Sequence, residues 1–149
     1  MSSLDHTYPS SHRPKGRFLG RLRISVDPRL RPKDRTWRVE SGFRYVHSGG
    51  EKHLAPSEFE TDGASIPRLL WRVIGHPLHQ DHIAAAVIHD VLWKQALIGK
   101  VSFRHANWVF LDALRTLGVW GWRRWAMWLA VAANAARLRV FVGIGRGGP

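Results

Sequence analysis

The period at which apolar residues recur changes once along this chain of 149 residues, and that change limits the fold more than any other feature. From Phe18 the apolar positions alternate. Phe18, Gly20, Leu22, Ile24 and Val26 fall on one side, with Leu19, Arg21, Arg23 and Ser25 on the other, as in a half-buried strand. A second alternating run holds Trp37, Val39, Phe43 and Tyr45 and is interrupted at Gly42. Ser48-Gly49-Gly50 forms a turn, and a short third run from His53 to Phe59 is limited by Pro56. After Pro77 the spacing becomes three and four. Ile83, Ala84, Val87, Ile88, Val91 and Leu92 predict a helix between Asp81 and Leu97, ended by Gly99. Ser102 is a good N-cap for a second helix with the stripe Ala106, Val109, Phe110, Ala113, Leu114 and Leu117, stopped at Gly118. A third helix is expected from Trp120 to about Arg139, with Trp122, Trp125 and Trp128 three apart. Strands first and helices after predict one α+β domain: a small antiparallel sheet in the N-terminal half, then about three helices. The expected boundaries are a flexible basic arm at 1–16, the domain at 17–142 and a flexible tail at 143–149.

Composition narrows the function classes. Apolar residues make up 44% and charged residues 23% of the chain, which fits a globular domain and excludes wholesale disorder. No cysteine is present, so disulfide scaffolds, thiolate zinc sites and cysteine nucleophiles are excluded. The first twenty residues hold no apolar core of a signal peptide, and the longest apolar run, Trp125 to Ala133, is too short to span a membrane. A protein not secreted by a signal peptide is therefore expected.

The net charge of +12 is unevenly placed. Residues 1–38 and 94–149 are strongly basic, whereas 39–93 carry a slight acidic excess. Arg13, Lys15, Arg17, Arg21 and Arg23 lead into the sheet, and Arg123 and Arg124 stand among the tryptophans of the last helix. Such flanks suit an anionic partner, either DNA phosphates or membrane lipid headgroups. No helix-turn-helix, zinc or aromatic ribonucleoprotein signature accompanies them, so base-specific readout is not expected. A plain solvated face is the alternative for the charges. For at least two of Trp120, Trp122, Trp125 and Trp128, core packing is preferred over a seat at a lipid interface.

Two segments carry possible chemistry: Thr61-Asp62-Gly63-Ala64-Ser65-Ile66-Pro67-Arg68 and Ala85-Ala86-Val87-Ile88-His89-Asp90. At 100° per residue Asp90 falls at the edge of the apolar stripe, where an ionised carboxylate needs a partner. His89 falls off the stripe, on a face with His82, Ala86 and Trp93. Asn107, at the margin of the second helix's stripe, is placed to bring its amide toward His89 or Asp90 if the two helices pack antiparallel. Asp112 is assigned to the solvated face and outside any site. A Ser65-His89-Asp90 triad is disfavoured, because adjacent helical residues diverge and Asp90 could not orient the His89 ring. A metal-dependent phosphohydrolase on His82, His89 and Asp90 is a further alternative. In the structural alternative, Asp62 caps a turn and the His89-Asp90 pair fastens the helix to the preceding loop.

The order of these motifs resembles a family of phage and prophage proteins catalogued as domain of unknown function 1353. The residues that carry the likeness are Thr61 to Pro67, Trp71, the run Ala85-Ala86-x-x-His89-Asp90-x-Leu92-Trp93, and Leu117-Gly118-Val119. It covers about Phe18 to Met127 and implies a phage or prophage origin, with phage particle proteins among the partners and no settled activity. The chain departs from the family pattern at Glu58, where Gly is usual, and at Asn107, where Asp is usual. A looser likeness is to the phospholipase A2 active-site helix. It implies that His89 is the general base and Asp90 a calcium ligand, with Asp62 and the Gly63 backbone as further ligands. That enzyme's cysteines and calcium loop are missing here.

Overall fold

A computed structural model describes residues 15–26, 37–61 and 82–144, with side chains to residue 137. Six short strands come first: β1 (Arg17–Leu19), β2 (Ile24–Val26), β3 (Trp37–Val39), β4 (Phe43–Val46), β5 (Lys52–Ala55) and β6 (Glu60–Thr61). They form two antiparallel three-stranded sheets, ordered β1-β4-β5 and β2-β3-β6. The register is common to both. Arg17 faces Val46 and, seven residues along, Ile24 faces Val39, while Phe43 faces Ala55 and Trp37 faces Thr61. The sheets are therefore two halves of one bent three-stranded meander, with the central strand broken between Val39 and Phe43.

A bulge accompanies the bend. Both Glu58 and Phe59 pair with Val39: the Glu58 N–H donates to the Val39 carbonyl at 2.7 Å, and the Val39 N–H donates to the Phe59 carbonyl at 2.9 Å. Glu58 takes φ 64°, the left-handed conformation that the first residue of such a bulge adopts and that glycine fits best. Glycine would adopt this conformation with less strain than Glu58 does.

Alternation along β4 turns Phe43 and Tyr45 inward and Arg44 outward. Phe18 packs on Tyr45 with ring centroids 4.6 Å apart. At Gly16 the chain passes so close to this ring that a Cβ there would lie 2.1 Å from the Tyr45 hydroxyl oxygen.

Among the described residues three helices follow: α1 (Ile83–Leu97), α2 (Phe103–Thr116) and α3 (Gly121–Ile144). The Ser102 side chain caps α2 by accepting from the His105 N–H, and the turn at Gly118 closes it, as the sequence predicts. The described part is thus α+β, a small antiparallel sheet followed by three helices. One core joins Val39, Phe43, Tyr45 and Ala55 to Ile88, Leu92, Phe110, Leu114 and Met127. Among the described residues no helix is long and apolar enough to cross a membrane.

Three sequence expectations change. Helix α3 runs to Ile144, beyond the expected end near Arg139 and into the expected tail at 143. Trp120, Trp122 and Trp125 are exposed, at 74%, 59% and 45%, so core packing for two of the four tryptophans does not hold. Only Trp128 is half-buried, against Trp108 and Trp125. A three-residue spacing drifts around the helix, so it does not keep four large rings on one buried stripe. Asp112 is not solvated either: its Oδ2 accepts from the Tyr45 hydroxyl at 2.7 Å and the Ser48 N–H at 3.0 Å. The expected arm lies outside the described residues except for Lys15 and Gly16.

Candidate functional site

His89 and Asp90 stand at the middle of α1, where the helix is covered almost all round: Val87, Ile88, His89, Asp90, Val91 and Leu92 are consecutive buried residues. His89 is 1% exposed and Asp90 6%. The helical wheel that put His89 off the apolar stripe is therefore superseded. Its face is closed by α2, with Phe110 at 4.9 Å and Trp93 of α1 itself at 5.5 Å between ring centroids.

Each polar side chain of the pair has a partner. His89 Nε2 lies 2.9 Å from Asn107 Oδ1, which can only accept, so the ring donates through Nε2. Burial pushes the His89 imidazole below its ordinary value; Asp90 opposes this by charge and Asn107 by its hydrogen bond. Asp90 Oδ2 accepts from the Thr61 hydroxyl at the end of β6. One helical turn on, Lys94 donates to the Glu60 carbonyl at 2.8 Å and lies over the Phe59 ring. The cluster thus ties α1 to the sheet through Asp90 and to α2 through His89.

Asp90 Oδ1 is 3.9 Å from His89 Nδ1, beyond hydrogen-bonding distance, so the carboxylate does not hold the ring. The divergence of adjacent helical residues has the expected effect. Asn107 does the orienting, as its place on α2 suggests. Asp62, Gly63 and Ser65 lie outside the described residues, as does Arg13. Among the described residues His82, His89 and Asp90 do not converge as a metal-ligand group.

Asn107 also faces the other way. With Phe103, Arg104, Trp108, Trp128 and Ala132 it lines a groove of about 330 Å³ between α2 and α3. Of the expected anion-binding residues, Lys15, Arg17, Arg21 and Arg23 are exposed, Arg17 in β1, Lys15 just before it and Arg21 and Arg23 in the segment that joins β1 to β2 on the outer side of the sheet, and Arg123 and Arg124 are half-buried on α3. Arg44, across from Leu19, joins this outer face of the sheet.

Thr61 as partner of Asp90 and Asp112 as partner of Tyr45 are absent from the sequence expectations, since nothing local to either residue reports a contact between distant elements. The same holds for the convergence of Glu51 and His53 with His105, 52 positions further on.

A family model described as "Protein of unknown function (DUF1353)" matches residues 37–131. The chain is 34% identical over 119 residues to "Uncharacterized protein y4jT" of Sinorhizobium fredii (strain NBRC 101917 / NGR234), covering 80% of this chain and 32% of y4jT. It is 44% identical over 52 residues to "Uncharacterized protein y4iH" of the same strain, covering 35% of this chain and 22% of y4iH. The matches span a third or less of these relatives' own length. No solved structure matches the chain.

Proposed function

We propose, from the premise that the chain belongs to the DUF1353 family, that it acts by binding an anionic surface, as an accessory or virion-associated protein of phage or prophage origin. The observation that carries the binding reading is the outer side of the sheet, where Arg17 and Arg44 on paired strands and Arg21 and Arg23 in the β1–β2 connection are all exposed in a chain of net charge +12. Guanidinium groups gathered on one side of the sheet suit phosphates, which they can meet in bidentate pairs. The exposed Trp120, Trp122 and Trp125 beside Arg123 and Arg124 favour lipid headgroups over DNA, since indole rings settle at a lipid interface. On this reading the His89-Asp90 cluster is a fastening of the fold, in keeping with its burial and its full use of partners. The phage origin rests on the motif order alone.

The test is co-sedimentation with anionic vesicles, zwitterionic vesicles and duplex DNA at rising salt. Retention on anionic vesicles should fall steeply between about 50 and 200 mM salt, because each phosphate contact releases counterions. Replacing Arg17, Arg21 and Arg23 together by Ser should weaken it at every salt. Binding indifferent to salt and to those arginines would reject the proposal, and preference for DNA would replace lipid as the partner.

A second reading, a calcium-dependent lipid or ester hydrolase with His89 as base, is favoured by one contact: Asn107 both orients the His89 ring and lines the open groove. Asn107→Asp would supply the charge that stabilises a protonated imidazole. On the hydrolase reading this variant gains calcium-dependent turnover that His89→Ala removes. Absence of turnover in Asn107→Asp retires it.

A further inference from the structure

Away from His89, three ligand-type side chains from two distant parts of the chain meet at one point. Glu51, just before β5, and His53, within it, are two residues apart, so the extended chain puts them on the same face. His105 stands on the first turn of α2, fixed by the Ser102 cap on its own N–H at 3.0 Å. His105 Nε2 is 3.2 Å and His53 Nε2 3.9 Å from the same Glu51 Oε2, and the three atoms lie within 4.8 Å of one another.

The second observation concerns the nitrogens. His53 Nε2 and His105 Nε2 are both buried and make no hydrogen bond. The His53 side chain is only 5% exposed, so this is a sealed polar atom aimed into the cluster. A Glu51–His105 ion pair would account for the 3.2 Å contact and still leave His53 Nε2 unsatisfied.

We propose that Glu51, His53 and His105 bind a Zn²⁺ ion through Glu51 Oε2, His53 Nε2 and His105 Nε2. Two imidazoles and one carboxylate suit a borderline metal of this kind, whereas calcium takes six to eight oxygen ligands. Tetrahedral zinc with bonds of about 2.0 to 2.2 Å sets its ligand atoms about 3.4 Å apart. The two Glu51 distances of 3.2 and 3.9 Å lie on either side of that value and the two imidazole nitrogens are within 4.8 Å of each other, so side-chain rotations that draw the rings together complete the site. Burial pushes His53 below the ordinary imidazole value; Glu51 opposes this, and His105 and His47 add to it, keeping the ring in the neutral form that binds metal. His47 is otherwise engaged, accepting from the Gly49 N–H at 3.0 Å through Nδ1 and facing Asp112 at 3.6 Å through Nε2. Three protein ligands leave the fourth position to water, and the half-exposed Glu51 keeps that side open.

The experiment titrates zinc sulfate into chelator-treated protein at about pH 7.5, read by calorimetry and by melting temperature. Wild type is compared with Glu51→Gln, His105→Ala and, as a control on an exposed carboxylate, Glu58→Gln. Wild type and the control should take up zinc with the same affinity at one tight site, and the melting temperature should rise because the ion binds only the folded chain. Both site variants should lose at least about tenfold in affinity, with circular dichroism unchanged. Glu51→Gln keeps the test open should His105→Ala fold poorly, since Glu51 is half exposed and its replacement has the same shape. No tight site in wild type, or a loss under tenfold in a folded site variant, overturns the proposal.

Discussion

Asp112→Ala separates two descriptions of α2 by the sign of a stability change. On a solvated helix face, alanine replaces a poor helix former and stability should rise by about 0.5 kcal/mol. In the structure the Asp112 side chain is 10% exposed and its Oδ2 accepts from the Tyr45 hydroxyl and the Ser48 N–H. A hydrogen bond to a charged group contributes about 1.5 to 3 kcal/mol. The two losses do not count in full. Ser48 is half-buried and its N–H can turn to water, while the Tyr45 hydroxyl proton can turn to Thr116 Oγ1, 3.0 Å away. Setting one charged bond and part of another against the helix-propensity gain leaves a net loss of about 2 kcal/mol. For a domain of this size that lowers the melting temperature by about 4 to 8 °C. Asp112→Asn, which keeps an acceptor oxygen, should fall between. The assay is thermal and urea unfolding of the three proteins at one pH in the presence of chelator. A melting temperature for Asp112→Ala at or above wild type would refute the account and return Asp112 to the surface. A companion reading comes from Tyr45 itself: burial, with the Asp112 carboxylate adding to it, raises its phenol well above the ordinary value. Since the chain has two tyrosines, ultraviolet titration of the folded protein should show one of them resisting ionisation.

Asp90→Ala removes the acceptor of the Thr61 hydroxyl and should cost about 2 to 4 kcal/mol; a melt unchanged within error would place Asp90 outside the core. Stability should also depend on pH through His89 and His53, whose imidazoles are both lowered chiefly by burial. Unfolded histidines take up protons near pH 6.5 while these two resist, so the unfolded chain binds more protons and stability falls as pH drops below about 6.5, by at most about 1.4 kcal/mol per unit for each ring. Urea midpoints in chelator that stay level from pH 7.5 to 5.5 would contradict this. Glu58→Gly should relieve the left-handed conformation at the bulge and raise stability by up to about 1 kcal/mol, because the Arg38 pair it gives up is exposed on both sides. A measured loss of stability would show that the ion pair outweighs the backbone strain.

Much of the fold was legible because its signals are local. The alternation from Phe18 to Val26, the Ser102 cap and the Gly118 stop each act within a few residues, and they settled strands first, helices after and most helix ends. Asn107 beside His89 was also legible, since two apolar stripes that pack together bring their margins together. The periodicity had less hold on α1. Its amphipathic pattern is weak because the helix is buried on nearly every side, so a wheel could not tell that His89 would be enclosed.

What the sequence by itself determined was which segments become strands and helices, that the centre is slightly acidic between two basic flanks, and that His89, Asp90 and Asn107 could meet. Only the tertiary structure decided which faces are covered. Docking the sheet against α2 took Asp112 from an apparent solvent face and gave it to Tyr45, and brought His105 of α2 to His53 of β5 and to Glu51 just before that strand. The same packing left Trp120, Trp122 and Trp125 in solvent although their size suits a core. The physical reason is range: hydrogen bonds and rotamer preferences within an element are set by its own residues, whereas burial depends on which distant surface arrives, and a lone carboxylate or imidazole carries no local mark of its eventual neighbour.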